Sequence, residues 1–297
     1  MARFGARRCR ATGCLRCVPG PRCDSEVAAS AAASATSACD HDLLERLRRG
    51  AEHAIVRRSR ISEANPMPTQ ELVILVPLAI KSVIGALRGC MEEAAGVSLR
   101  PVHDLNPAIA ERVFSGRRGD IGLSNPQYVR QLTDAGYVDP AAHRAFGRVR
   151  LAVARKHGTG GPVLTGAEEI VALLTSAQSI GYTGAGTSGR TFLGVLGRLG
   201  IVADVGPRCR PMGGGAPVAA VAAGEIELAV APLTTILSSP GVEPGAIFPD
   251  ALETHIDMSV FVTRTAAAEA MAVLEFLTSP ALDAQLAAAG VSRFELG

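Results

Sequence analysis

Four short stretches of the 297-residue sequence place small residues or proline where a helix would begin, and together they could bind an anion. Asn106-Pro107 joins a favoured N-cap residue to a proline suited to the first helical position. Thr187-Ser188-Gly189 sets two hydroxyls ahead of a helix expected from Arg190. Gly213-Gly214-Gly215 runs into Ala216-Pro217, and Pro77-Leu78-Ala79 turns a strand-like segment into a helical one. A helix start leaves backbone N–H groups unpaired and carries the positive end of the helix dipole. Several starts aimed at one cleft would hold a negative charge without a cationic pocket. Every α/β protein has helix caps, so the weight lies on their recurrence.

Other chemistry is less well supported. Gly184-Ala185-Gly186-Thr187-Ser188-Gly189 matches GxGxxG, but it falls mid-chain and is followed by Arg208 and Arg210, with no acid at a strand end. A nicotinamide cofactor is therefore not expected. Gly122-Leu123-Ser124-Asn125-Pro126 lacks the second glycine of a nucleophile elbow. No HExxH or P-loop occurs, and neither a cofactor nor a metal is called for. His103-Asp104 ends a strand-like segment beside Asn106, where either side chain could act as a base or simply be solvated. Lys81 and Lys156 are the only lysines. Lys81 falls in a first helical turn, where the dipole disfavours a cation; a bound carboxylate, or plain solvation, would relieve that.

The elements that must carry these residues alternate. Residues 72–76 (LVILV) suit a strand buried on both faces, and 80–95 carry Ile80, Val83, Ile84, Leu87 and Met91 at helical spacing. Strands follow at 98–103, 120–123, 148–154, 179–182, 228–231 and 258–263. Helices are expected at 107–114, 167–174, 190–199, 217–223, 267–277 and 280–288. This alternation predicts an α/β protein with a parallel sheet covered on both faces. Residues 157–162 and 238–245 are rich in Gly, Pro and Ser and are expected to be loops. Two lobes fit the uneven spacing better than an eight-unit barrel, which takes about 250 residues.

Composition narrows the class. With 47% hydrophobic residues the chain is too apolar for wholesale disorder. A net charge of +2 excludes a broad basic field, so no nucleic-acid partner is expected. No apolar run approaches the roughly 18 residues of a membrane span, so no membrane insertion is expected. Residues 1–66 differ from the rest, with 12 arginines, no lysine, seven acids and five of the seven cysteines (Cys9, Cys14, Cys17, Cys23, Cys39). One CxxC without a second pair or regular histidines does not make a zinc site. The Ala-rich run at 28–38 lacks the aliphatic centre of an export signal, and Asp24 and Glu26 precede it. Residues 1–66 are expected to be a disordered extension, or sequence upstream of a start at Met67, with a short basic amphipathic helix at 42–60.

Taken in order, six segments resemble the periplasmic molybdate-binding proteins, a branch of the type II solute-binding proteins of ABC importers. They are LVILVPLAIKSVIGAL, NPAIAERVFSGRRGDIGLSNPQYVRQLTDAGYVD, GRVRLAVARK, SGRTFLGVLGRLGI, APVAAVAAGEIELAVAP and FLTSPALDAQLAAAGV, spread over about residues 70–297. The resemblance implies two α/β lobes closing on an oxyanion, with 67–146 and 255–297 in lobe one and 147–254 in lobe two. It implies a monomer that binds a small anionic ligand, works with an ABC transporter membrane subunit and resides in the periplasm. The weak leader makes the cytoplasm the alternative location.

The family's binding positions fall at Ala79 and Asn106, where it has serines, at Ser188 and Gly214, and at Pro232, where it has a tyrosine. Leu78, Pro107, Gly189 and Gly215 flank them. Two lost hydroxyls favour a small organic acid, or another oxyanion, over molybdate. Arg190 would add a two-pronged grip on a carboxylate. Relatives of these binders include an aconitate isomerase. The alternative to a binding protein is thus an isomerase of a small carboxylic acid, with His103 or Asp104 as the base.

Overall fold

The computed structural model describes residues 71–297; the expectations for 1–66, including the N-terminal cysteines and the 42–60 helix, lie outside them. β1 (Glu71–Pro77) is buried along LVILV, as its composition demands. Leu72, Ile74 and Val76 pack with Val83, Ile84, Leu87 and Met91 of α1 (Lys81–Ala95). Val73 and Leu75 point the other way, onto Ile109, Ala110 and Val113 of α2 (Asn106–Phe114) and Val129 and Leu132 of α3 (Pro126–Asp134). A strand with helices on both faces has no solvent side, and its sequence therefore shows no alternation.

β2 (Ser98–Asp104) and β3 (Ile121–Ser124) flank β1 in parallel. β9 (His255–Thr263) then runs antiparallel to β3, and β4 (Val138–Lys156) antiparallel to β9. Beyond β4 come β7 (Leu228–Pro232), β5 (Ile180–Thr183) and β6 (Cys209–Met212), giving the order β2-β1-β3-β9-β4-β7-β5-β6. β8 (Val242–Ile247) and the short β10 (Val291–Ser292) also pair with β4. The sheet is mixed rather than parallel as expected. β4 carries the chain from one half of the sheet into the other and β9 begins its return, so these two must run in opposite directions.

β4 is the element that sequence periodicity understated most. Its 19 residues pair with β9 as far as Arg150↔His255 and with β7 from Leu151↔Pro232. Pro140 and Gly147 lie where its register against β9 shifts, which is where irregular residues are tolerated in a strand. In its second half Leu151 and Val153 share a core with Ile170 and Leu174 of α4 (Ala167–Ser176), Phe192 and Val195 of α5 (Thr187–Arg198) and Val205 of α6 (Val202–Val205). Ala152 and Ala154 face Val218 and Val221 of α7 (Ala216–Ala223) and Ile236 of α8 (Leu233–Leu237). The chain ends with α9 (Ala270–Thr278) and α10 (Asp283–Ala288), and no described helix is long and apolar enough to cross a membrane. Part of 238–245, expected as a loop, is strand β8, whose Pro244 and Gly245 mask it.

Asp120 ties the first half together. It is 5% exposed, and its Oδ2 accepts the Val73 N–H at 2.7 Å and the Arg118 side chain at 3.2 Å. Asp120→Ala strands a buried N–H and should cost about 1–3 kcal/mol, read from urea denaturation. A variant as stable as the parent would show that water replaces the carboxylate.

Candidate functional site

The carboxyl ends of β1, β2, β5 and β7 open on one hollow of about 580 Å³. In open α/β sheets ligands bind outside these strand ends. Three helices of two turns or more begin at its wall, and none has a side-chain cap: the N-cap residues are Leu105 for α2, Gly186 for α5 and Gly215 for α7. Neither leucine nor glycine offers a side-chain acceptor, so these first turns present N–H groups unclaimed by a cap. Gly215 takes φ +79, a left-handed conformation in which glycine is unstrained.

Two polar side chains at the hollow are buried and without partners. Asn106 is 5% exposed, and its Oδ1 has no hydrogen-bond partner. Ser188, 8% exposed, makes no side-chain hydrogen bond to any described residue. An unpaired buried amide costs stability unless something else bonds it. Leu78, Leu105, Val218 and Ile256 form apolar wall, and Lys81 is the only charged residue in the lining. No ion pair is formed by Lys81 among the described residues. Its ammonium adds to partial burial in holding the neighbouring His103 imidazole below the usual histidine range.

Most of the expected binding residues meet here: Leu78, Ala79, Asn106, Ser188, Gly214, Gly215 and Pro232 all line the hollow. Asn106 does so by a different route than expected. Leu105 is the N-cap, its carbonyl accepting the Ile109 N–H at 3.2 Å, so Asn106 is the first helical residue and its side chain is free of capping. Pro107 moves to the second position and does not reach the hollow. α5 likewise starts earlier than expected, at Thr187, with Gly186 as N-cap.

Gly189 and Arg190 are not in the lining. A Cβ on Gly189 would stand 2.0 Å from the Thr183 carbonyl oxygen, so this glycine lets α5 press on the end of β5. Arg190 follows Ser188 by two residues, about 200° around the helix, and points elsewhere. With Thr187, three residues before it on the same helix face, and with Thr191, it lines a second hollow of about 450 Å³ beside Arg130, His255 and Asp257. There its guanidinium donates to the Tyr128 hydroxyl at 2.7 Å. His103 and Asp104 are exposed on β2 outside the main hollow, and Asp104 accepts the Leu105 N–H at 2.8 Å. No carboxylate or histidine lines the main hollow, so neither His103 nor Asp104, the bases expected for an isomerase, is placed at it.

Residues beyond the expected set complete the walls: Thr183, Ser82, Thr235, Ser238 and Ser239. The two halves touch across the cleft. The Thr187 hydroxyl bonds Asn125 Oδ1 at 2.8 Å, while Asn125 Nδ2 donates to the Asp257 carbonyl at 2.7 Å. The Thr234 hydroxyl donates to the Ala79 carbonyl. A Cβ on Gly214 would meet Leu78 Cδ1 at 2.5 Å, so the two walls are in close contact there and a larger residue would turn the Leu78 side chain aside. The Asn125-Pro126 pair repeats the Asn106-Pro107 signal, which could have marked Asn125 in the sequence.

The fold has relatives among known structures. The chain is similar to the periplasmic molybdate-binding protein of Azotobacter vinelandii, at 17% identity and a TM-score of 0.62 over 74% of this chain and 98% of that one. It is similar to the sulfate-binding protein SubI from Mycobacterium tuberculosis H37Rv, at 15% identity and 0.58 over 75% and 86%. It is similar also to L-phospholactate-bound PEB3, a Campylobacter jejuni protein, at 10% identity and 0.58 over 75% and 100%. At such identities the likeness is one of fold. No curated protein matches the chain in sequence. The model of the family described as bacterial extracellular solute-binding protein matches residues 72–292, spanning both halves of the sheet and every wall of the cleft. The two-lobed α/β architecture and that match agree, and the chain belongs to the bacterial extracellular solute-binding protein family.

Proposed function

We propose that this protein captures a small anion in the cleft and presents it to the membrane subunit of an ABC importer. One observation carries the reading: three uncapped helix starts face one hollow that no carboxylate lines. The ligands named for the similar structures are all anions, which supports the class. Leu78, Ala79, Asn106, Ser188, Gly214, Gly215 and Pro232 are the residues we assign to the guest. Ala79 and Pro232 bring no hydroxyl, and the apolar wall suits a carbon skeleton. A small organic acid therefore fits better than molybdate. Of the described residues, 71–146 with 255–297 form one lobe in this reading and 147–254 the other, a division supported by the hand-over along β4.

Thermal unfolding with and without molybdate, tungstate, sulfate, L-phospholactate and citrate tests the reading. A ligand at one hundred times its Kd stabilises by about 2.7 kcal/mol. For a domain of this size that raises Tm by about 5–10 °C. At least one of these anions should do so, and a flat response to all five would sink the proposal.

A further inference from the structure

At about 580 Å³ the hollow is larger than a compact anion needs. Part of its wall is built from the starts of α2, α5 and α7 with Asn106 and Ser188. Another part comes from α1 and the segment around α8. Lys81, Ser82 and Gly85 line it on one side, and Thr235, Ser238 and Ser239 on the other. At 1.5 Å per residue, Lys81 to Gly85 alone accounts for about 6 Å of groove. Gly85 contributes to the opening, because a Cβ there would have nothing within 4 Å.

This second part of the wall differs chemically from the first. The Ser238 and Ser239 hydroxyls donate to the carbonyls of Thr234 and Thr235 at 2.8 and 2.7 Å, so neither proton is free for a guest. The positive group here is the Lys81 ammonium, which no described carboxylate neutralises. A cation in the first turn of a helix is opposed by the dipole and gains most from an anion beside it. The starts of α2, α5 and α7 already offer amide hydrogens to a first negative group, and Lys81 on α1 is a separate positive group in the same hollow.

Resting on the anion-binding reading, we infer that the guest is a two-headed acid, a short chain with an anionic group at each end. One head is held by the helix starts and the other pairs with Lys81, which makes Lys81 the residue that selects diacids over monoacids.

Calorimetric titration of the full chain tests this with succinate, glutarate and adipate against butyrate, valerate and hexanoate, and with sulfate and molybdate as one-centre anions. At least one diacid should bind about ten-fold or more tighter than the monoacid of equal length. Lys81→Met should erase that difference while changing sulfate or molybdate affinity less than about two-fold, and Lys81→Arg should keep most of it. Gly85→Leu fills the groove at an open helix position and should weaken the longest diacid most. Equal affinity for diacids and monoacids would overturn the inference and leave the anion reading standing. So would a Lys81→Met variant that loses sulfate or molybdate as severely as diacid. Failure of every compound to bind would overturn both.

Discussion

Gly189→Ala should unfold much of the second half of the sheet and abolish ligand binding. The added Cβ would lie 2.0 Å from the Thr183 carbonyl oxygen, 3.0 Å from its carbon and 3.0 Å from Tyr182 Cδ2. The nearest two of these are backbone, so no rotamer change relieves the overlap. α5 would have to lift off β5, pulling Phe192, Val195 and Leu196 from full or nearly full burial. Overpacking against main chain belongs at the upper end of mutational effects, about 3 kcal/mol or more. Ser188 would move with the helix, so affinity should fall even in the folded fraction. Gly197→Ala on the same helix is the control, since its Cβ meets nothing within 4 Å. It should stabilise by about 0.5–1 kcal/mol through helix propensity. Urea midpoints of the two variants lying together would contradict this account of the glycines.

Asn106→Leu should move stability and affinity in opposite directions. The native side chain is buried with Oδ1 unpartnered, a cost the empty protein bears continuously. Leucine is of similar size and carries no polar atom to leave unpaired. The ligand-free variant should therefore melt higher, by about 1 kcal/mol of added stability. Its affinity for whichever anion raises the parent Tm should drop about 10–100-fold, because a site built to bond a polar group discriminates strongly once that group is lost. If both quantities fell together, Asn106 would be structural, with water as its hidden partner.

Much of this was legible in the residues. LVILV could only be a strand covered on both faces, and the helical spacing from Ile80 to Met91 marked α1. The convergence of Leu78, Asn106, Ser188 and Gly214 followed from their being helix starts, since the fold gathers the starts that follow parallel strands at one edge. What failed was local and angular. A one-residue shift in where α2 begins turned Asn106 from the expected N-cap into the first helical residue, and helix boundaries are uncertain by about that much in any sequence reading. Arg190 was assigned by chemistry alone, and the 100° step of the helix turned it to the neighbouring hollow. β8 and α8 were missed because Pro244, Gly245 and a five-residue helix leave too short a pattern to detect. The reach of β4 through both halves depends on partners distant in sequence, and no local window contains them.

The lining of the main hollow has a bearing on where such a protein can work. Amides, hydroxyls and one ammonium make up its polar surface, with neither imidazole nor carboxylate among them. As the surroundings turn acidic, the receptor has no group at the wall that must take up a proton before or after loading. The guest's own ionisation then decides how much is caught.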